Sequence, residues 1–294
     1  MASAGVWLTA SRPKTLGAAV GPVVMGTAAA AAAGGLHIPS AVAALLGALL
    51  IQVGTNLAND YFDYKRGADS EERIGPVRVT QAGLVDPPQV LKATVLVYGA
   101  AVLVGAYLAA RAGWPVVIIG LSSILWGILY TAGPLPLGYV GLADPFVLVY
   151  FGPVAVAGTY YVQCLSVDWR VAAVGFAPGL FSVGILTVNN LRDIEGDRRA
   201  GKKTLAVRLG RRGARIQYTI CILLGALLPL IVGLAAAWPP VRSGALCASV
   251  LLAAAPVLRT VWRKDTGHDL NRALAQTGFL LLLLSACFST GLFL

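Results

Sequence analysis

Most carboxylates of this 294-residue chain lie in two short segments, and their spacing is suited to holding a cation. Eight of the 13 acidic residues fall there, namely Asp60, Asp63, Asp69, Glu71, Glu72, Asp193, Glu195 and Asp197. The first segment begins with NDYFDYKRGAD at Asn59 and runs on to Glu72, the second reads NNLRDIEGD from Asn189, and both place an Asn four residues before an Asp. This recurrence predicts two related groups of helices that face one another across a central site.

Residues four apart share one face of a helix, so each segment presents two or three oxygen ligands to one point. Mg²⁺ takes one or two protein carboxylates, keeps several waters and completes its shell with substrate phosphate oxygens. Two such clusters would suit a diphosphate bridged by Mg²⁺, and we expect two ions. The candidate ligands are Asn59, Asp60, Asp63, Asp69, Asn189, Asp193 and Asp197.

The alternative is that these acids are solvated loop charges balanced by neighbouring bases. The duplication argues against it, and so does the position of both segments at the ends of apolar stretches. Ionisable groups cost roughly 2.5 to 3.5 kcal/mol each at the centre of a bilayer, so they are kept mostly for function.

Basic, amide and aromatic residues surround the two segments. Four bases beside the carboxylates are predicted to bind diphosphate oxygens and stabilise a leaving diphosphate: Lys65, Arg78, Lys202 and Lys203. A second set lies in SRPKTL, in VRVTQAGL and in the Pro/Gly-rich segment YTAGPLPLGYVGLADP, and is predicted to border the pocket of a second substrate: Arg12, Lys14, Gln81, Tyr130, Tyr139 and Asp144. For both tyrosines the alternative is an anchor at the membrane interface.

The composition is that of an integral membrane protein. Hydrophobic residues make up 57% of the chain and charged residues 12%, against about 25% charged in soluble domains. Continuously apolar stretches of about 20 residues match the length of a helix that crosses a bilayer, and they do not alternate as β-barrel strands do. We predict an all-α bundle around a central cavity, a single domain over residues 1–294, with spans near 15–33, 39–58, 88–110, 114–131, 142–163, 171–190, 216–237, 243–262 and 272–293.

Lys and Arg predict the orientation, because they are retained in short cytoplasmic loops. Of the 23 basic residues, three lie on one predicted side, Arg111, Arg170 and Arg242, and the other twenty lie on the side of the N-terminus. We therefore expect a plasma (inner) membrane protein with a cytoplasmic N-terminus, an external C-terminus and a site that faces the cytoplasm. The net charge of +10 is explained by these loops beside anionic lipid, and nucleic acid is not an expected partner.

Five stretches together resemble the UbiA superfamily of intramembrane aromatic prenyltransferases, and within it the 1,4-dihydroxy-2-naphthoate branch of menaquinone biosynthesis. They are RPKTL (12–16), NDYFDYKRGAD (59–69), GPVRVTQAGL (75–84), YTAGPLPLGYVGL (130–142) and NNLRDIEGDRRAGKKTLAVRLG (189–210). The resemblance implies nine transmembrane helices and two Asp-rich motifs that hold Mg²⁺ through Asp63, Asp69, Asp193 and Asp197.

The resemblance also implies the reaction. A polyprenyl group would pass from polyprenyl diphosphate to 1,4-dihydroxy-2-naphthoate with loss of CO2 and diphosphate, giving demethylmenaquinone. Prenyl or phytyl transfer to homogentisate or 4-hydroxybenzoate remains an alternative within the superfamily. From a different class, an ion-coupled secondary transporter shares paired repeats and intramembrane acids, but its site is expected near the midplane of the bilayer.

Overall fold

The regular structure is helical throughout the residues that the computed structural model describes, which are 2–67, 75 and 77–294. In chain order the helices are α1 Ala4–Ser11, α2 Pro13–Ala32, α3 Ile38–Lys65, α4 Pro87–Ala112, α5 Trp114–Leu129, α6 Leu137–Val140, α7 Ala143–Val149, α8 Ala155–Cys164, α9 Trp169–Arg192, α10 Ile194–Arg199, α11 Leu205–Ala236, α12 Val241–Arg263 and α13 Gly267–Phe293. A π-helical turn, Tyr150–Val154, joins α7 to α8.

The predicted all-α membrane bundle is confirmed. Within the described residues, eight helical segments are long and apolar enough to cross a membrane: α2, α3, α4, α7 to α8 as one unit, α9, α11, α12 and α13. The predicted span at 114–131 corresponds to α5, which has 16 residues. At 1.5 Å per residue α5 is about 24 Å long, somewhat less than the hydrocarbon thickness, so the predicted count of nine spans is approximate.

Helix α9 is the central element of the bundle, because it packs against α11, α13, α2 and the α7 to α8 unit. Phe181, Val188 and Leu191 on α9 are fully buried among apolar residues of these neighbours. Glycine allows the closest of these contacts. A Cβ on Gly179 would lie 2.4 Å from the carbonyl oxygen of Leu148, so this position cannot accept a side chain without moving the helices apart.

The other half of the molecule is formed by α3, α4 and α5. Helix α3 packs against α4 and α2, and α5 packs against α3 and α4. A smaller apolar cluster at the end of this half contains Leu57, Val79, Val85 and Val90. It attaches the segment after the first acidic motif to α3 and α4.

Sequence-local signals start the helices that carry the site. Thr204 and Thr266 cap α11 and α13 by accepting the backbone N–H of Val207 and Asp269, at 3.3 and 3.2 Å. Proline at the first position begins α2 and α4, where no intrahelical N–H bond is lost. The N-terminal turn of α2, the C-terminal ends of α3 and α9, and the loop before α13 all contribute residues to one cavity.

Candidate functional site

One large cavity of about 1880 Å³ lies between the two halves of the bundle. Its polar end is lined by Asn59 and Asp63 of α3 and by Asn189, Asp193 and Asp197 of the second motif. Its apolar part runs between α3, α4, α5 and α8 as far as Leu108, Val116 and Val162, which lie near the opposite ends of their helices. The cavity thus joins a charged mouth to a long hydrocarbon-lined channel.

Asp63 is the centre of the first cluster. It is 2% exposed, its carboxylate pairs with Arg78, and it accepts a 2.6 Å hydrogen bond from the hydroxyl of Tyr139. One turn earlier, the Asn59 side-chain oxygen accepts the hydroxyl of Thr131 at 2.9 Å. Both side chains are therefore held in place by partners from other segments.

Arg192 organises the second cluster. Its side chain is 1% exposed, and its guanidinium donates to both carboxylate oxygens of Asp193 at 2.7 and 2.5 Å. It also donates to the side-chain oxygens of Asn189, at 2.9 Å, and of Asn271 on α13, at 2.6 Å. A fully buried Arg fork of this kind fixes the orientation of the carboxylate it binds.

Tyr139 links the two clusters. Its hydroxyl donates to Asp63, and the ammonium of Lys202 lies 4.6 Å from the centre of its ring. Lys202 in turn lies 3.6 Å from the Asp197 carboxylate. The backbone follows the same route, because the N–H of Lys203 donates to the carbonyl oxygen of Tyr139 at 2.6 Å.

Gly141 lets the segment that carries Tyr139 approach the second motif. Its φ of +75° is in the left-handed region, and a Cβ there would lie 2.6 Å from the carbonyl oxygen of Lys203. Arg208 holds the same segment by donating to the carbonyl oxygens of Val140 and Lys203, at 2.8 and 3.1 Å. The loop after α5, which carries Tyr139, is thereby attached to the segment that follows the second motif.

Tyr130 stands at the cavity wall between the clusters. As a phenol its side chain is protonated at neutral pH and able to donate a hydrogen bond. Trp126 lies one helical turn deeper, and its ring centre is 4.4 Å from that of Phe146. All three aromatic side chains line the cavity, next to its charged end.

Eleven of the predicted site residues line this cavity: Arg12, Lys14, Asn59, Asp63, Arg78, Tyr130, Tyr139, Asn189, Asp193, Asp197 and Lys202. Asp69 lies outside the described residues. Lys65 and Lys203 are exposed, and Gln81 is half-buried and does not line the cavity. Asp144 is buried and accepts from Gln217 on α11 at 2.5 Å, on the side away from the cavity wall.

Asp60 also lies away from the cavity, and its two oxygens accept the backbone N–H groups of Val79 and Thr80.

Sequence reasoning missed Arg192 and Asn271. Arg192 could have been found, because it is adjacent to Asp193 and three residues from Asn189 on a buried helix. Nothing local marks Asn271, which lies 79 residues from Arg192.

The chemistry of the donor set fits a hard divalent cation. The cavity end offers carboxylate and amide oxygens from two sides, which is the ligand type that Mg²⁺ prefers. Within the described part of the chain, no three His, Cys, Asp or Glu side chains come together as a closed metal site.

A bundle of membrane-crossing helices with a charged cavity mouth and an apolar channel defines a membrane protein that binds an anionic head and a hydrocarbon tail. The UbiA prenyltransferase family model matches residues 19–288. The chain is 40% identical over 285 residues to the 1,4-dihydroxy-2-naphthoate octaprenyltransferase of Mycobacterium tuberculosis, covering 96% of this chain and 94% of that protein. It is 37% identical over 295 residues to the Haemophilus influenzae protein of the same name, with coverages of 98% and 95%.

This chain therefore belongs to the UbiA prenyltransferase family and is an enzyme that transfers prenyl groups, as the sequence motifs predict. A UbiA homolog from Archaeoglobus fulgidus, solved bound to GPP and Mg²⁺, has the same fold. It superposes with a TM-score of 0.70 over 97% of this chain and 99% of that chain, at 15% identity.

Proposed function

We propose that this enzyme transfers a polyprenyl group from polyprenyl diphosphate to 1,4-dihydroxy-2-naphthoate, releasing diphosphate and CO2 and giving the quinol (1,4-diol) form of demethylmenaquinone. The observation that carries the proposal is the cavity, which joins two facing carboxylate clusters to an apolar channel nearly as long as the bundle. The names and close similarity of the curated relatives support the choice of acceptor.

The diphosphate head belongs at the charged end. Asn59, Asp63, Asn189, Asp193 and Asp197 would hold Mg²⁺ there, together with Asp69, and we expect two ions. When bound, the metal neutralises diphosphate and makes it a better leaving group. Arg78 and Lys202 pair with the carboxylates and lie at the cavity wall, so they are placed to bind phosphate oxygens as well.

The hydrocarbon tail belongs in the channel. Small residues of α3, α4 and α8 widen it: Ala44, Gly47, Ala48, Ala101, Gly105, Ala106, Ala155 and Gly158. An apolar channel excludes water from an allylic carbon that develops positive charge as its C–O bond breaks. The electron pair of that bond goes to diphosphate, the electron-rich ring forms the new C–C bond, and the ring carboxylate leaves as CO2.

The acceptor ring belongs between the diphosphate site and the aromatic wall. Trp126 and Phe146 offer a flat apolar surface, and the Tyr130 hydroxyl is a donor at its edge. Arg12 and Lys14 line the same mouth and would pair with the acceptor carboxylate. Because Tyr139 donates to Asp63, we assign it to the donor side of the site, and we leave Gln81 and Asp144 out of the acceptor pocket.

We infer that the site faces the cytoplasm of a cell with a plasma (inner) membrane, with the N-terminus inside and the C-terminus outside. The support is the charge asymmetry, because the contacts of Arg66, Arg192, Arg208 and Arg215 all lie at the end that carries the two motifs. The same placement disfavours the transporter alternative, whose coupling site would lie near the midplane.

The test incubates purified protein in lipid nanodiscs with Mg²⁺, polyprenyl diphosphates of several lengths and a panel of aromatic acids, and identifies products by mass. We expect a prenylated naphthalenediol that has lost 44 mass units as CO2 only with 1,4-dihydroxy-2-naphthoate. If product formed only with homogentisate or only with 4-hydroxybenzoate, the proposed acceptor would be wrong and that aromatic acid would replace it. Absence of any prenylated product, with correctly folded protein, would reject the transferase activity.

A further inference from the structure

We infer that Asp60, although it stands inside the first Asp-rich motif, is a positioning residue that holds Arg78 in the site and is not a ligand of the metal. The inference rests on the proposed diphosphate chemistry at Asp63. Asp60 lies between two cavity-lining residues in sequence, Asn59 and Asp63, yet it does not line the cavity itself. It is 1% exposed.

Both oxygens of Asp60 are occupied by the backbone. One accepts the N–H of Val79 at 2.9 Å and the other accepts the N–H of Thr80 at 3.1 Å. Two consecutive N–H groups that point at one buried carboxylate form a small anion-binding concavity. In this arrangement the carboxylate is directed at the backbone of Val79 and Thr80, which like Asp60 do not line the cavity.

The segment that Asp60 holds is a compact turn. The carbonyl oxygen of Arg78 accepts the N–H of Ala82 at 2.9 Å, and that of Val79 accepts the N–H groups of Leu84 and Val85 at 3.0 and 3.2 Å. Val79 itself is fully buried in the cluster with Leu57 and Val90. These hydrogen bonds and the burial of Val79 hold residues 78–85 together as one compact turn. The carboxylate of Asp60 attaches this turn to α3 through its two hydrogen bonds.

Arg78 immediately precedes the first residue that Asp60 binds. Consecutive Cα atoms are about 3.8 Å apart, so the backbone position of Val79 determines where the Arg78 side chain begins. From there the guanidinium reaches the Asp63 carboxylate, one helical turn after Asp60. Asp60 thus acts on the diphosphate site through the backbone of residues 78–80.

The test is a double-mutant cycle between Asp60→Asn and Arg78→Ala. An amide keeps the size of the side chain but presents an NH₂ group where a second acceptor is required, so one N–H of the turn loses its partner. We expect Asp60→Asn to lower kcat/KM for the polyprenyl diphosphate about 10- to 100-fold, the usual range for a residue that orients a site residue. In the Arg78→Ala background, Asp60→Asn should lower kcat/KM by less than twofold, because Asp60 acts through the side chain of Arg78.

The Mg²⁺ dependence separates positioning from ligation. The Mg²⁺ concentration for half-maximal activity should be the same in Asp60→Asn/Arg78→Ala as in Arg78→Ala, whereas Asp63→Asn should raise it. A further rise in the Mg²⁺ requirement, or a further loss of twofold or more in the Arg78→Ala background, would show that Asp60 acts on the site independently of Arg78 and would overturn the inference. Asp86→Asn, an exposed acid at the start of α4, is the matched control and should leave all these constants unchanged.

Amide hydrogen exchange gives a readout that does not require turnover. A peptide covering residues 77–85 should exchange faster in Asp60→Asn than in the wild type and in Asp86→Asn, while peptides from α9 stay unchanged. If Asp60→Asn fails to accumulate in membranes, Asp60→Ser, whose hydroxyl accepts one N–H, takes its place in the same cycle. Unchanged exchange in 77–85 would reject the positioning role. Absence of activity in the wild type would reject the proposed function and leave this exchange result intact.

Discussion

Replacing Asp193 by Asn removes the anion from the second cluster while keeping its shape. In the structure both carboxylate oxygens of Asp193 accept from the buried guanidinium of Arg192, at 2.7 and 2.5 Å. After the change, Arg192 keeps the neutral side-chain oxygens of Asn189, Asn271 and the new amide as acceptors, but it loses its anionic partner and one of its two hydrogen bonds to position 193. Removing one member of a buried ion pair typically costs about 3 to 5 kcal/mol.

If the transition state loses this much stabilisation relative to the bound substrates, the rate decreases about 10²- to 10⁴-fold, since 1.36 kcal/mol of activation free energy corresponds to a factor of ten. Asp63→Asn should cause a loss of the same order, because both clusters act on one diphosphate. Residues that act as one unit are not additive, so the double variant should be scarcely slower than either single variant.

The assay measures prenylated product by mass in nanodiscs, at saturating donor and acceptor, after membrane yield and thermal stability have been matched. Asp269→Asn is the control, because this half-buried carboxylate only joins the cap of α13 through Thr266, and its turnover should be within about twofold of the wild type. Near-normal turnover of Asp193→Asn or Asp63→Asn would defeat the assigned site. A multiplicative loss in the double variant would refute the reasoning that both clusters hold one substrate.

Three further predictions follow from the same geometry. Chelation by EDTA should abolish turnover, with recovery on adding Mg²⁺, because diphosphate without a cation is repelled by the carboxylates; full turnover in chelator would remove the metal role. Tyr130→Phe should raise KM for the acceptor several-fold and leave KM for the donor unchanged, and the reverse pattern would move Tyr130 to the donor site. In a cysteine-free background, Lys264→Cys should be labelled from the cytoplasmic side of sealed vesicles and Val167→Cys from the external side, and the opposite labelling would invert the topology.

Much of the fold could be predicted from the sequence, because membrane helices are specified by local properties. A helix in lipid satisfies its own backbone hydrogen bonds, so about 20 continuous apolar residues are sufficient to indicate a span. The count of nine is approximate only because of α5, whose 16 helical residues fall just below the usual length of a span. The orientation in the membrane is likewise predicted from the distribution of Lys and Arg among the loops, without knowledge of any tertiary contact.

The cation-binding residue types and their grouping could also be predicted, since Asn59 with Asp63 and Asn189 with Asp193 repeat a four-residue spacing that keeps them on one helix face. What local spacing does not determine is the direction in which a neighbouring acid points. Each step along a helix turns the side chain by about 100°, so Asp60 is directed at a backbone turn while Asn59 and Asp63 line the cavity.

The tertiary structure decided which distant residues complete the site. Asn271 reaches Arg192 across 79 residues of sequence, and Tyr139 reaches Asp63 across 76. Such contacts depend on how α13 and the loop after α5 pack against the ends of α9 and α3, and for the loop this packing requires the close approach of Gly141 to the carbonyl oxygen of Lys203. Residue type and local period therefore determined the chemistry available to this protein, whereas the packing of its helices determined which groups meet at the diphosphate site.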